Sequence, residues 1–98
     1  MTYDLPEGLE LEIIDVGFPN KTTADILVTF SNGHERIYNV ETNTRPGFAT
    51  LLGDRNALQN LTFDEYGVYW NDDLDISECE IWFEGKPYFR PITLAEYN

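Results

Sequence analysis

Four oxygen-bearing side chains are the first candidates for chemistry in this chain. EF-hand calcium loops place oxygen ligands at positions 1, 3, 5 and 12 of the loop. The corresponding residues here are Asp73, Asp75, Ser77 and Glu84. The sixth position, however, holds Glu78 instead of the glycine that the sharp turn of such a loop requires. The spacing indicates a calcium site only weakly, and we predict no cofactor and no metal.

Two other arrangements could support catalysis. Asp73 and Asp75 could form a carboxylate pair, but such a pair needs a concave apolar site that raises one pKa, and a solvated turn is the better interpretation. A Cys–His nucleophile is not expected, because His34 and Cys79 fall in distant parts of the predicted fold. The adjacent Glu78 and Glu80 also disfavour the Cys79 thiolate. We therefore predict that the protein is not an enzyme.

Recognition is the other chemistry that the residues suggest. Between Arg55 and Lys86 the chain carries eight acidic residues and no lysine or arginine. Tyrosines accompany them, and tyrosine is enriched in binding hot spots. The predicted partner-binding residues are Asp64, Glu65, Tyr66, Tyr69, Asp72, Asp73, Asp75 and Glu78.

The aromatic side chains of this region have two interpretations. They could form a recognition patch together with Tyr88 and Phe89, or they could belong to the core. Strand alternation places Trp70 on the buried face with Val68 and places Tyr69 on the opposite face, near the acidic residues. We therefore predict Trp70 and Trp82 as core residues, and Tyr66 and Tyr69 as surface residues.

Alternation also predicts the first three strands. Leu9, Leu11 and Ile13 alternate with glutamates, and Ile26, Val28 and Phe30 repeat the period of two. Asn32-Gly33 then predicts a tight hairpin turn, because both residues adopt positive φ at low cost, and residues 36–40 resume the strand pattern.

Helical spacing follows the first hairpin. Phe48, Leu51 and Leu52 would share one face of a short helix whose first turn contains Pro46. Gly53 is expected to end this helix, and residues 56–60 predict a further helical turn.

A second hairpin is predicted around residues 64–67, with Gly67 at positive φ. Ser77 and Glu80 then have the spacing of a capping box for a helix that ends near Gly85. The predicted fold is a single small α+β domain over residues 1–98. Its antiparallel sheet consists of two β-hairpins plus an N-terminal strand, and one or two short helices cover it.

Charge and composition restrict the environment and the partners. The net charge of −12 disfavours direct binding to nucleic acid or to a membrane surface, since both require basic residues, and it favours a basic protein partner. The single cysteine excludes an intramolecular disulfide. No stretch is apolar enough to span a membrane, and the start has no signal-peptide pattern, so we expect a cytoplasmic protein.

Several blocks of the sequence resemble the bacterial DUF2442 family. They run from Val28 to Gly33, from Arg36 to Tyr38, across Phe48 and Leu51, from Asp64 to Ser77 and from Glu80 to Trp82. The block from Asp64 to Ser77 is the most specific, and the similarity covers about residues 10–85.

The resemblance implies a small α+β domain with no established enzymatic activity. Members of the family are sometimes fused to a helix-turn-helix or found next to small proteins proposed as toxins. This chain differs by Asn39, where an acidic residue is common, by an extension over residues 86–98, and by having no helix-turn-helix.

Three functions are therefore carried forward as hypotheses. The leading one is a non-enzymatic acidic module that binds a small basic protein in an antitoxin-like or regulatory role. The second is an acidic mimic of nucleic acid that inhibits a nucleic-acid-binding enzyme. The third is a calcium-binding or carboxylate-based enzyme.

Overall fold

A computed structural model describes residues 11–71 and 73–88, and confirms the predicted small α+β fold. The strands in this part of the chain are β1 (Ile13–Gly17), β2 (Asp25–Phe30), β3 (Glu35–Asn39), β4 (Thr62–Asp64), β5 (Gly67–Asn71), β6 (Leu74–Ser77) and β7 (Lys86–Pro87). The helices are α1 (Phe48–Leu52), α2 (Arg55–Gln59) and α3 (Glu78–Glu84), with a 3₁₀ turn at Val40–Thr42.

The first sheet is antiparallel and has the strand order β1-β2-β3-β7. The predicted turn between β2 and β3 is confirmed, and Gly33 has a φ of 88°. Asn32 does not have a positive φ, and its side chain instead accepts a hydrogen bond from the His34 amide (3.0 Å). Lys86 and Pro87, the beginning of the predicted C-terminal extension, pair with β3. Residues 89–98 and Leu9 of the predicted first strand lie outside the described residues.

The second hairpin belongs to a separate sheet, with the order β4-β5-β6. The prediction that both hairpins belong to one sheet was therefore wrong. Strand β6 was not predicted, because its four residues lie between an acidic turn and a helix cap. The hairpin over residues 61–70 was predicted correctly, but its turn was predicted at Tyr66-Gly67 and lies one residue earlier, at Glu65-Tyr66.

Gly67 does not have the predicted positive φ. It is instead the first residue of β5 and pairs with Asp64 and Ser77. A Cβ atom at this position would lie 2.8 Å from the backbone oxygen of Ile76. The glycine is therefore required by the close approach of β6 and not by the turn.

Helices α1 and α2 confirm the predicted helical spacing with two corrections. Phe48 and Leu51 are buried, but Leu52 is 38% exposed and does not share their face. Pro46 precedes α1, whose N-cap is Gly47. Helix α2 begins at Arg55 because the Asp54 side chain accepts from two amides of its first turn.

Helix α3 begins as predicted at the Ser77 cap, whose hydroxyl accepts from the Glu80 amide (3.2 Å). The reciprocal half of the predicted capping box is absent, because the Glu80 carboxylate accepts from the Tyr38 hydroxyl instead (3.1 Å). The helix ends at Glu84, next to the C-cap Gly85. It packs against β3 of the first sheet and β6 of the second.

One cluster of buried apolar side chains unites the two sheets and the helices. Its members are Leu11, Ile13, Ala24, Ile26, Val28, Phe30, Tyr38, Val40, Phe48, Leu51, Leu58, Val68, Leu74, Ile76 and Ile81. Trp70 and Trp82 pack against this cluster as partly buried residues. Among the described residues no helix has the length and hydropathy needed to cross a membrane.

Candidate functional site

The exposed face of the second sheet aligns tyrosine and carboxylate side chains across three strands. Thr62, Tyr69 and Asp75 are directly opposite one another, and so are Asp64, Gly67 and Ser77. Opposite residues of antiparallel strands, and alternate residues of one strand, share a face of the sheet. The acidic face is defined here as Asp64, Tyr69, Asp75 and Glu78.

Asp64 organises one end of this face. Its Oδ1 accepts from the Tyr66 amide (2.8 Å), the Gly67 amide (3.1 Å) and the Tyr69 hydroxyl (2.9 Å). The Tyr66 amide contributes most to a lowered Asp64 pKa, because hydrogen bonds to the charged form favour ionisation. The carboxylate therefore stays ionised while it closes the hairpin turn.

Tyr69 lies at the centre of the acidic face. Its hydrogen bond to Asp64 is the largest cause of a raised Tyr69 pKa, and the negative charges of Asp64, Asp75 and Glu78 raise it further. The hydroxyl also lies 3.3 Å from the place where a Cβ of Gly67 would be. The ring therefore lies over the glycine, in the space that the missing side chain leaves free.

The remaining predicted residues occupy two different places. Glu65 and Tyr66 form the turn between β4 and β5, where Tyr66 is 62% exposed and its carbonyl accepts from the Glu78 amide (2.9 Å). Asp73 lies in the turn between β5 and β6, at the other end of the sheet. Asp72 lies outside the described residues. The structure thus brings four of the eight predicted residues together in the acidic face, places Glu65 and Tyr66 in the adjoining turn and separates Asp73 from them.

Arg45 is a neighbour of the acidic face that the sequence did not predict. Its guanidinium lies 3.8 Å from the Asp75 carboxylate and 3.6 Å from the Glu80 carboxylate, and it donates to the Asp75 carbonyl. The acidic stretch has no basic residue of its own, so its sequence shows no sign of this partner. Arg45 neutralises part of the charge at the β6 edge.

A polar cleft of about 330 Å³ adjoins Arg45. Within it the Glu80 carboxylate accepts from Tyr38 and from the Asn43 amide group (3.3 Å), which also donates to the Tyr38 hydroxyl (3.2 Å). Burial is the main cause of a raised Tyr38 pKa. The donors and acceptors of this cleft satisfy one another, so the cluster holds α3 against β3.

The residues considered for catalysis or metal binding are dispersed. Asp75 and Ser77 point from a regular strand, and no group of three or more histidine, cysteine or acidic side chains in the described parts of the chain is placed to hold a metal ion. The exposed His34 ring packs against Trp82, with 5.5 Å between ring centroids. Trp82 lies on α3 together with Cys79, so the prediction that His34 and Cys79 fall in distant parts of the fold was wrong. Burial, and then the Glu78 charge, raise the pKa of the Cys79 thiol, which disfavours a thiolate nucleophile.

Comparisons of this chain with protein-family models, curated proteins and solved structures found no match. The resemblance to the DUF2442 family therefore stays a prediction. The geometry of the acidic face is the evidence from which a function has to be argued.

Proposed function

We propose that this chain is a non-enzymatic protein-binding module whose acidic face docks on a basic surface of a partner protein. The observation that supports the proposal is the position of Tyr69, which pairs with Asp75 on β6 and donates a hydrogen bond to Asp64 on β4, with Glu78 close enough to affect the Tyr69 pKa. A phenol held in one orientation among carboxylates suits an arginine or lysine of the partner.

The expected partner is a small basic protein, and the expected role is antitoxin-like or regulatory. A net charge of −12 attracts such a protein from a distance and repels phosphate backbones and anionic lipids. A reducing cytoplasm is the proposed location, because Cys79 is a free thiol.

Charge reversal tests whether the acidic face acts as a local docking site. Glu78 of the acidic face and Glu65 of the adjoining turn would be changed to lysine in one double variant. Asp15 and Glu41, which lie outside the second sheet, would be changed to lysine in the matched control. Each replacement of an acidic residue by lysine makes the net charge more positive by two units, so both double variants change it from −12 to −8. Association with an immobilised lysine-rich peptide should slow roughly tenfold for the first variant and about twofold for the control.

The salt dependence of association and the comparison of the two double variants together test the proposal. Added salt should slow association of the unmodified chain, since the field is screened over about 10 Å at 0.1 M. Equal losses in the two double variants would show only nonspecific attraction and would contradict the proposal.

The natural partner can be captured through Tyr66. A photoreactive p-benzoylphenylalanine replaces Tyr66, which is 62% exposed beside the acidic face, or Ile14, which is 57% exposed on β1. We expect a basic protein to crosslink at position 66 and not at position 14. Displacement of that protein by short duplex DNA would favour the nucleic-acid mimic, and crosslinking at position 14 alone would contradict the acidic face as the docking site.

A further inference from the structure

An apolar groove separate from the acidic face lies between α1, α2 and the turn that joins β5 to β6. Its volume is about 640 Å³, which is large enough for one or two apolar side chains of another protein. The residues that define it are Pro46, Thr50, Leu51, Ala57, Asp73 and Leu74.

The groove is preformed by two local features. Gly47 has a φ of 98°, and a Cβ there would lie 2.8 Å from a Leu74 methyl group, so the glycine lets the start of α1 pack against β6. The Asn71 side chain accepts from the Asp73 and Leu74 amides (2.8 and 3.0 Å). These contacts hold the start of α1 and the turn between β5 and β6 in place without a ligand.

The groove combines an apolar floor with an acidic rim. Leu51 and Leu74 are 6% and 7% exposed, and Asp73 is the exposed charged residue among those that line the groove. This pattern complements a large apolar side chain that has a lysine or arginine next to it. Leu74 lines the groove and the next residue, Asp75, belongs to the acidic face, so the two surfaces lie on opposite sides of β6. Because β6 is an edge strand of the second sheet, a partner that reaches both surfaces has to pass around this edge.

We propose that this groove receives an amphipathic segment of the basic partner protein. One or two of its apolar side chains contact Leu51 and Leu74, and a lysine or arginine lies beside Asp73. The inference rests on the proposed function, because it assigns the apolar anchor and the charged contacts to one partner.

A peptide series tests the occupant. The probe is a synthetic helical peptide of leucine and lysine, and two matched peptides replace its leucines by serine or its lysines by glutamate. Amide NMR signals of the full-length chain report where each peptide binds. We expect the leucine-lysine peptide to shift Thr50, Leu51 and Ala57, the serine peptide to shift only the acidic face, and the glutamate peptide to shift neither.

Three variants give the affinity test. Thr50→Trp extends an exposed side chain of α1 into the groove and should weaken the leucine-lysine peptide about tenfold. Asp73→Lys should weaken it roughly fivefold. Asp15→Lys is the matched charge control on β1 and should change the affinity less than about twofold. Thermal unfolding of each variant verifies folding, and peptide titration of the unmodified chain decides the proposal if a variant unfolds.

The possible results separate this inference from the proposed function. Shifts confined to the acidic face would overturn the groove as a docking site and leave the proposed function standing. Shifts confined to the groove, with no response of the acidic face to the serine peptide, would overturn the proposed function. Groove shifts that grow with protein concentration alone would identify a second copy of the chain as the occupant, and equal shifts with the glutamate peptide would exclude a basic segment.

Discussion

The two β-hairpins of this protein use similar turn residues for different purposes. In the first hairpin, Ile26, Val28 and Phe30 are fully buried in the middle of the first sheet. In the second, all residues of β4 are exposed, and the carboxylate of Asp64 organises the turn. The first hairpin contributes mainly to the core, whereas the second places Val68 in the core and presents β4 and its turn as a charged surface.

The glycines of the two hairpins show why residue type alone does not define a role. Gly33 adopts a φ of 88°, a conformation that side chains rarely allow. Gly67 has no positive φ but lies where a Cβ would be 2.8 Å from the Ile76 oxygen. The first glycine is required by backbone conformation, and the second by the neighbouring strand.

The largest expected effect is the difference in stability loss between a buried residue of the first hairpin and an exposed residue of the second. Phe30→Ala should lower the free energy of unfolding by about 3–5 kcal/mol, because the fully buried ring leaves a cavity. Phe63→Ala in β4 should cost about 1 kcal/mol or less, since the Phe63 side chain is 41% exposed. Urea unfolding measures both, and equal losses would contradict the division between core and surface hairpin.

The next effect separates the two glycines. Gly33→Ala should cost about 1–2 kcal/mol through its positive φ, and Gly33→Asn less, because asparagine tolerates the left-handed region better. Gly67→Ala should cost roughly 1–3 kcal/mol through the clash with Ile76, and Gly67→Asn at least as much. If asparagine were better tolerated than alanine at position 67, conformation rather than close approach would explain this glycine.

The contact between Asp64 and Tyr69 should make stability depend on pH at both extremes. The folded-state pKa of Asp64 is lowered, chiefly by the Tyr66 amide, so its contribution is present above the unfolded pKa and is lost as pH falls through the folded value. The pKa of Tyr69 is raised, chiefly by Asp64, so its contribution is present below the unfolded pKa and is lost as pH rises through the folded value.

Asp64→Asn tests this contact while keeping an oxygen that can close the turn. Urea unfolding at acid and alkaline pH should show a weaker pH dependence in this variant. The ring-carbon NMR signal of Tyr69 should also report a pKa nearer to the ordinary value. An unchanged Tyr69 pKa would show that the hydrogen bond does not form in solution.

The smallest stability effect concerns Arg45. Arg45→Gln should change the free energy of unfolding by less than about 1 kcal/mol, because the Arg45 and Asp75 side chains are 47% and 55% exposed and only Glu80, at 22%, is mostly buried. The same change makes the acidic face more negative, so association with a lysine-rich peptide should become faster. Arg45→Lys is the control that keeps the charge, and slower association of the glutamine variant would contradict the proposed docking face.

Local signals in the sequence determined much of the fold. Alternation predicted β2 and β3, Asn32-Gly33 predicted their turn, and Ser77 predicted the start of α3, because each depends on residues within a few positions. The same alternation predicts that Tyr69 lies on the face of β5 that Trp70 does not occupy, near acidic residues. The exposed Tyr66 was also predicted.

Only the tertiary structure decided how these elements combine. It divided the hairpins between two sheets, paired Arg45 with Asp75 across thirty residues and directed Glu80 to Tyr38, forty-two residues away, instead of to its own helix cap. Such partners depend on which faces of the elements pack together, and the local sequence pattern does not predict this packing. Hydrogen bonds between neighbours in sequence are determined by geometry within one element, whereas the charge that reaches the surface is determined by contacts that exist only after the elements have packed.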